Sequence, residues 1–320
     1  MASLSNSAAA LHARLVESLP TAVGWSTAED LSRISLESLA ARQTIGRELI
    51  STGLIRLTGD GAAGSSAAFD VVGDILNGFQ KLVTSAGAAR EGHKSARGPL
   101  PASVTARTAL RLLTSPSQGS VVLEFLPQMA PADELNPGGA VPLIGEEHDQ
   151  LADLAVRDSL AYMEEIKSVG PDADGSDFLE HVSANGPRFA HALRKFAQDL
   201  DGGDLDTDFE WRQPHVPTLR VTIRREDARR IASLISTREL DAEPVVVEGV
   251  LRTISDLTNL VVELATGELQ PIAGGDLPPD VVERATIHTR VRIAATMTIE
   301  QRPGGIDVAK YRAVSMELLD

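Results

Sequence analysis

The chain has 320 residues, a formal net charge of −15 and an apolar fraction of 42%. That length suffices for two ordinary domains and that composition suffices to bury a core in each, so disorder throughout is not expected. The absence of cysteine excludes disulfides, cysteine-ligated zinc, iron–sulfur clusters and a thiol nucleophile. No apolar run approaches twenty residues and the N-terminal sequence lacks a signal-peptide pattern, so we expect a cytoplasmic protein without membrane insertion.

The N-terminal half is predicted to be mostly helical. Residues 3–18 have the spacing of an amphipathic helix, and Ser26 with Glu29 forms a capping box that opens a helical region running towards Thr52. The clearest helix is predicted over 66–90, where apolar residues recur at three- and four-residue spacing: Phe69, Val72, Leu76, Phe79, Val83 and Ala86. We expect this stripe to lie in the core.

A proline- and glycine-rich segment, 127–145, marks a predicted domain boundary. A helix around 102–113 and a strand over 120–126 precede it. The prediction is a mostly helical N-terminal domain, 1–135, then an acidic helical segment, 141–208, and a β-rich domain, 209–320. These regions together predict an α+β protein.

Acidic charge is concentrated in residues 141–210, which hold seventeen acidic and five basic residues and so a net charge of −12. A helix is predicted over 146–168, and two shorter helices follow, separated at Asn185-Gly186-Pro187. Such a segment repels nucleic acid and suits a basic protein partner. The scarcity of lysine, five against twenty-five arginines, suggests a GC-rich bacterial genome.

From Phe209 onward the apolar period changes to two, which is typical of strands. It is most regular in a long strand near the C-terminus, where one predicted buried face holds Thr289, Val291, Ile293, Ala295, Met297 and Ile299. From about residue 243 the predicted order is three strands, a short helix and two strands. That order resembles an OB-fold, a small five-stranded barrel, and Gly249 fits the bend or bulge that closes such a barrel. A different small barrel or an open sheet has the same order.

Two glycine-bearing loops are candidate anion sites. Residues 92–98 form a compact basic loop in which His93, Lys94 and Arg97 could surround an anion or a phosphate. Residues 59–64 follow a short stretch with strand character, 54–57, and match G-x-G-x-x-G, but the second strand and acidic residue of a dinucleotide-binding unit do not follow. We therefore favour a flexible linker between helices for the second loop.

Metal and catalytic motifs are weak. Asp199, Asp201 and Glu210 have the spacing of three calcium-loop positions, but Gly203 stands where an oxygen ligand belongs. Asp177 and His181, with Glu180 and His191, could form a metal site, although a hydrated acidic helix explains them as well. The sequence has no recognisable hydrolase, zinc-protease or kinase motif, so we assign no catalytic residue, metal or cofactor.

Four arginines on predicted outward strand positions could contact nucleic acid: Arg220, Arg252, Arg290 and Arg292. Single-strand binding also needs aromatic side chains for base stacking, and residues 216–320 contain only Tyr311. We therefore interpret the arginines mainly as cross-strand partners of Glu248, Glu263 and Glu300, and a nucleic-acid surface is the alternative.

These observations favour a non-enzymatic interaction or adaptor protein. Its acidic helical surface and C-terminal β-barrel would dock a partner such as a toxin, a nucleic-acid enzyme or a defence effector, and self-association is another use of these surfaces. The alternatives are a nucleic-acid-binding protein that uses the four arginines and a nucleotide or small-anion binder that uses the two glycine-bearing loops.

Overall fold

The computed structural model describes residues 32, 50–63, 66–113, 121–135, 149–169, 175–214, 216–255, 259–274, 277–302 and 306–319. The helix predicted over 3–18 lies outside these residues, as does nearly all of the helical region predicted from Ser26. Where that region was expected to end, a strand begins at Thr52.

The described elements mix helices with antiparallel strands, which confirms the α+β class. In chain order the first are β1 (Thr52–Thr58), β2 (Ala62–Ala63), β3 (Ser66–Ala67), α1 (Phe69–Arg90), α2 (Ala102–Thr108), β4 (Leu110–Leu113), β5 (Val121–Pro127), α3 (Pro131–Leu135), α4 (Leu151–Glu165), α5 (Ser176–Ala184), α6 (Pro187–Gly202), β6 (Asp206–Arg212), β7 (Leu219–Ile223) and α7 (Arg225–Thr237). They are followed by β8 (Glu243–Thr253), β9 (Leu260–Glu263), β10 (Leu269–Ile272), α8 (Pro279–Arg284), β11 (Arg290–Arg302) and β12 (Ile306–Leu319). No helix in the described ranges combines the length and apolarity needed to cross a bilayer.

The first sheet has the strand order β4-β5-β1-β6-β7, and all its neighbouring strands are antiparallel. In the central strand, Ile55 lies opposite Leu123 of β5 and Phe209 of β6. Before residue 135 the sequence indicated strands over 54–57 and 120–126, which the structure has as β1 and β5. The helix predicted around 102–113 is wrong at its end, where β4 lies. Because β6 and β7 pair into this sheet, it contains strands from both sides of the boundary predicted at 209.

Aromatic side chains fill the space between this sheet and the helices α1 and α6. The ring of Phe79 lies 5.6 Å from Phe125, 5.1 Å from Phe209 and 5.8 Å from Phe196, measured between ring centres. Aromatic contacts of this kind add about 0.5–1.5 kcal/mol per pair beyond the area they bury. The predicted stripe on α1 is confirmed at Phe79, Val83 and Ala86 and is wrong at Phe69, which is 95% exposed.

The second sheet has the order β10-β9-β8-β11-β12. The predicted alternation of β11 is confirmed, because Val291, Ile293, Ala295 and Met297 are each at most 3% exposed. Between Ala294 and Ala295 the register with β12 shifts by one residue. The alternating burial along β11 gives this sheet one apolar face and one outward face, as the two-residue period requires.

The described strands do not form a closed barrel. An isolated parallel bridge between Ala273 and Arg312 joins the two ends of the second sheet. It consists of hydrogen bonds from the Ala273 amide to the Tyr311 carbonyl and from the Ala313 amide to the Ala273 carbonyl, both 2.8 Å. The irregularity in β8 lies between Leu251 and Thr253, slightly beyond Gly249.

Candidate functional site

The basic loop, 92–98, already holds a carboxylate of this chain. The Glu243 carboxylate, at the start of β8, accepts hydrogen bonds from the Ser95 hydroxyl at 2.7 Å and from the Ala96 amide at 2.8 Å. The side chain of Ala96 is buried in the apolar cluster of the second sheet. The loop therefore joins the end of α1 to the second sheet.

The three basic residues predicted to bind an anion in this loop have exposed side chains, and they are His93, Lys94 and Arg97. Lys94 Nζ donates a hydrogen bond to the Ala184 carbonyl at 2.7 Å. The anion against this loop is Glu243, and it is bound through a hydroxyl and an amide rather than through these side chains. The residues do have a local role, because Lys94 ties the loop to the end of α5.

A second basic group lies next to the loop, in a pocket of about 280 Å³ between α1 and α6, which we call the α1–α6 pocket. Its lining includes Lys81 of α1 and Arg188, His191 and Lys195 of α6. The three α6 residues share one helix face because they are spaced by three and four positions. Ile299 of β11 also lines the pocket, which therefore lies where the helices meet the second sheet.

Arg188 connects the α1–α6 pocket to the loop. Its Nε donates to the Ser95 carbonyl at 2.8 Å, and its Nη2 donates to the carbonyls of Arg97 and Gly98 at 3.1 and 2.8 Å. Burial lowers the pKa of Arg188, while the nearby Glu243 raises it. Because all three acceptors are neutral carbonyls, this half-buried cation has no carboxylate directly bonded to it among the described residues.

Two carboxylates bond to other cations of α6. Asp199 accepts a hydrogen bond from Lys195, and burial raises the pKa of its carboxyl. Asp241 accepts bonds from Arg194 Nη2 at 2.6 Å and Arg194 Nε at 3.0 Å. Burial opposes ionisation of Asp241, but its bonds with His191 and Arg194 outweigh burial and lower its pKa.

An exposed aromatic surface lies at the N-terminal end of α1. Phe69 is 95% exposed, whereas the other six phenylalanines are each at most 5% exposed. Asp70, Gly73 and Asp74 are exposed on the same two helical turns, and a Cβ placed on Gly73 meets nothing within 4 Å. Within the described residues neither aspartate forms an ion pair. We call these four residues the Phe69 face.

The four arginines predicted to contact nucleic acid do not share one surface. Arg220 lies on β7 in the first sheet, and the other three lie in the second sheet. Arg220 bonds to Glu210, Arg252 bonds to Glu263, and Arg292 Nε bonds to Glu248 at 2.5 Å. Arg290 is exposed on β11, opposite Val250. Cross-strand ion pairs of this kind offset the positive charge that a nucleic-acid surface needs.

The acidic run 199–210, which has part of the spacing of a calcium loop, belongs to an ordered ion-pair network. Asp201 accepts hydrogen bonds from Arg225 Nε and Arg229 Nη2, each at 2.8 Å, and these bonds lower its pKa. Glu210 pairs with Arg212 at 3.0 Å, and Asp199 bonds to Lys195. These three carboxylates are thus already engaged with cations of this chain.

The histidine and acidic cluster does not assemble either. His181 Nδ1 lies 2.7 Å from Glu165 Oε1, and His191 lies on α6 near Asp241. Across the described residues, no three histidine, aspartate or glutamate side chains come together as metal ligands.

The glycine-rich segment has a packing role. Gly59 has a φ of 102°, and the Gly61 amide donates to the Asp204 carbonyl at 3.0 Å. A Cβ on Gly61 would lie 1.8 Å from the Gly203 carbonyl oxygen. The preceding strand, β1, has only antiparallel neighbours, so the segment does not open the parallel unit that binds a dinucleotide.

Two features escaped sequence reasoning. The Phe69 face was missed because the apolar stripe of α1 continues past the edge of the core. The α1–α6 pocket was missed because its cations come from two distant helices, although the spacing of Arg188, His191 and Lys195 is a signal for one basic helix face. Comparison of the chain with protein-family models, curated proteins and solved structures finds no match.

Proposed function

We propose that this protein is a non-enzymatic, cytoplasmic interaction protein whose Phe69 face docks on a partner protein with an apolar pocket rimmed by lysine or arginine. One observation carries the proposal: Phe69 is 95% exposed in a chain that buries its six other phenylalanines. Aromatic residues that are exposed in the free protein and seated in a partner's pocket dominate many interfaces.

The energetics support a docking role. Burying a phenylalanine side chain contributes roughly 1.5–3 kcal/mol. Phe69 gains none of this within the described structure, so a partner that encloses the ring gains nearly all of it. The open space above Gly73 leaves room for the rim of that pocket.

The chemistry of the partner follows from charge. Asp70 and Asp74 are exposed on the same two helical turns as Phe69, and the whole chain has a net charge of −15. Basic groups around the partner's pocket would pair with these aspartates and would accelerate association through long-range attraction.

This proposal differs from the sequence-based hypothesis in the location of the acidic contact. Much of the negative charge of 141–210 is paired, for example Asp158 with Arg90 and Asp201 with Arg225 and Arg229. Paired carboxylates attract a basic partner less strongly. Asp70 and Asp74 are the better candidates because they form no ion pair within the described residues.

We retain the OB-like barrel as a proposal for the second sheet, which would act as a second docking module. The strand order, the position of α8 between β10 and β11, and the bridge at Ala273 support it. Hydrogen exchange tests closure. Slow exchange of the Ala273 and Ala313 amides is expected if the bridge persists, and exchange as fast as in the turn at Gly267 would contradict closure.

The docking proposal is tested by recovering the tagged protein from its host at low salt. We expect a stoichiometric basic protein that dissociates at high salt, and at least tenfold less of it with Phe69→Ala or with the double variant Asp70→Asn and Asp74→Asn. Leu269→Ala is the matched control, because Leu269 is 59% exposed but lies on β10. Equal recovery with Phe69→Ala would contradict the proposal, as would equal loss with Leu269→Ala.

A further inference from the structure

We propose that the α1–α6 pocket binds a small organic anion that carries a phosphate or carboxylate group. The juxtaposition that supports this is a set of cations on facing surfaces of α1 and α6, inside a protein whose overall charge is strongly negative. This inference is independent of the docking role of the Phe69 face, which lies at the N-terminal end of α1.

The local charge favours an anion. Lys81, Arg188, His191 and Lys195 line the pocket, and no carboxylate is among its lining residues. Two carboxylates outside the lining contact these residues: Asp199 bonds to Lys195 and interacts with Lys81, and Asp241 lies 3.8 Å from His191. A cation in partly desolvated surroundings is stabilised by an anion that can contact it directly.

Arg188 offers a defined donor group. Its Nε and Nη2 are fixed by carbonyls of the loop, so the orientation of the guanidinium plane is set before a ligand arrives. Among the described residues Nη1 makes no hydrogen bond. Nη1 is therefore the nitrogen that can donate to a phosphate or carboxylate oxygen, the charged acceptors with which a guanidinium forms its strongest hydrogen bonds.

Uncharged polar groups complete the lining. Thr84 and Thr105 line the pocket, and their hydroxyls bond within the chain, to Gln80 and Thr108 and to the Pro101 carbonyl respectively. Ala192 is the small residue of α6 in the lining. A pocket of 280 Å³ has the volume of about nine water molecules in the liquid. The ligand class is therefore a compact anion of about ten non-hydrogen atoms, such as a three-carbon phosphate ester or a four-carbon dicarboxylate.

The first experiment measures thermal unfolding and calorimetric binding of the full chain with glycerol 3-phosphate and with malate, and with glycerol as the neutral control. At a ligand concentration a hundred times Kd, we expect Tm to rise by about 5 °C or more. A rise with glycerol 3-phosphate alone assigns a phosphate site and a rise with malate alone assigns a carboxylate site. No rise with either anion, or an equal rise with glycerol or with potassium chloride at the same ionic strength, would overturn the proposal.

Variants locate the site. Ala192→Leu fills the pocket without changing charge, and Arg188→Gln removes the guanidinium; each should weaken binding at least tenfold. Lys94→Gln is the matched control, because Lys94 also ties the loop to a carbonyl but does not line the pocket. Binding that survives Ala192→Leu in a folded protein would overturn the assignment, and so would an equal loss of affinity with Lys94→Gln.

Discussion

The Ser95 hydroxyl donates a 2.7 Å hydrogen bond to the Glu243 carboxylate, and this bond links the loop after α1 to the first residue of β8. The same carboxylate accepts the amide of Ala96, whose side chain is buried against the second sheet. One acidic residue thus fastens the helical part of the chain to the C-terminal sheet.

Replacing Glu243 should loosen this junction. We expect Glu243→Ala to lower the free energy of unfolding by about 1–2 kcal/mol, since it removes a charged acceptor from two donors. Trypsin should also cleave faster after Lys94 and Arg97. The control is Glu248→Ala, which removes the exposed ion pair with Arg292 and should leave stability nearly unchanged. Unchanged cleavage in Glu243→Ala would argue against the junction.

Gly61, which precedes α1, and Gly73, which lies within α1, should respond to alanine in opposite directions. Gly61→Ala should destabilise the protein by about 1–3 kcal/mol, because its Cβ would collide with the Gly203 carbonyl. Gly73→Ala should stabilise it by about 1 kcal/mol, because alanine is the better helix former and meets no neighbour there. Urea denaturation of both variants checks this, and the same sign for both would contradict the packing explanation.

Two phenylalanines of the same helix should differ sharply in their effect on stability. Phe79→Ala should cost about 3–5 kcal/mol, because the ring contacts three other aromatic rings in the core. Phe69→Ala should change stability by less than about 0.5 kcal/mol, because its side chain is exposed. Comparable losses in chemical denaturation would mean that Phe69 has a structural contact in the folded protein.

A buried carboxyl should make stability depend on pH. Burial raises the pKa of Asp153 to about 6, although a hydrogen bond with Ser51 opposes the shift. Because the folded-state pKa lies above the unfolded one, the folded protein binds the proton more tightly. The protonated Asp153 carboxyl therefore adds to the free energy of unfolding. This contribution is fully present below about pH 4 and is lost as the pH rises through 6, a change of about 3 kcal/mol.

The variant Asp153→Asn isolates this effect. The difference in free energy of unfolding between the variant and the original protein should change by about 3 kcal/mol in favour of the variant from pH 4 to pH 7.5. Asp177→Asn, at an exposed position on α5, is the control and should show no such difference. A pH-independent difference between Asp153→Asn and the original chain would exclude a perturbed carboxyl.

The periodicity of apolar residues predicted correctly those elements in which one regular face is buried. The alternation in β11 and the middle of the α1 stripe, at Phe79 and Val83, agree with the structure for this reason. The central place of β1 in a sheet was not predicted, because its partner β6 lies far along the chain.

The pairing of charged side chains was harder to predict from the sequence than the burial of apolar ones. The acidity of 141–210 suggested an open acidic surface, but Arg225 and Arg229 of α7 lie against Asp201. Ion pairs between segments that are distant in sequence cannot be inferred from local composition. The α1–α6 pocket was unpredictable for the same reason, because Lys81 and His191 meet only after folding.

The pairing of β1 with both β5 and β6 also has a consequence for synthesis of the chain. β1 ends at Thr58, and its second neighbour does not begin until Asp206. At a translation rate of about 5–20 residues per second, the central strand waits roughly 7–30 s with one edge unpaired. During that interval the nascent chain exposes a strand edge and the apolar side of α1, so its folding yield should depend on chaperones more strongly than the stability of the finished protein would suggest.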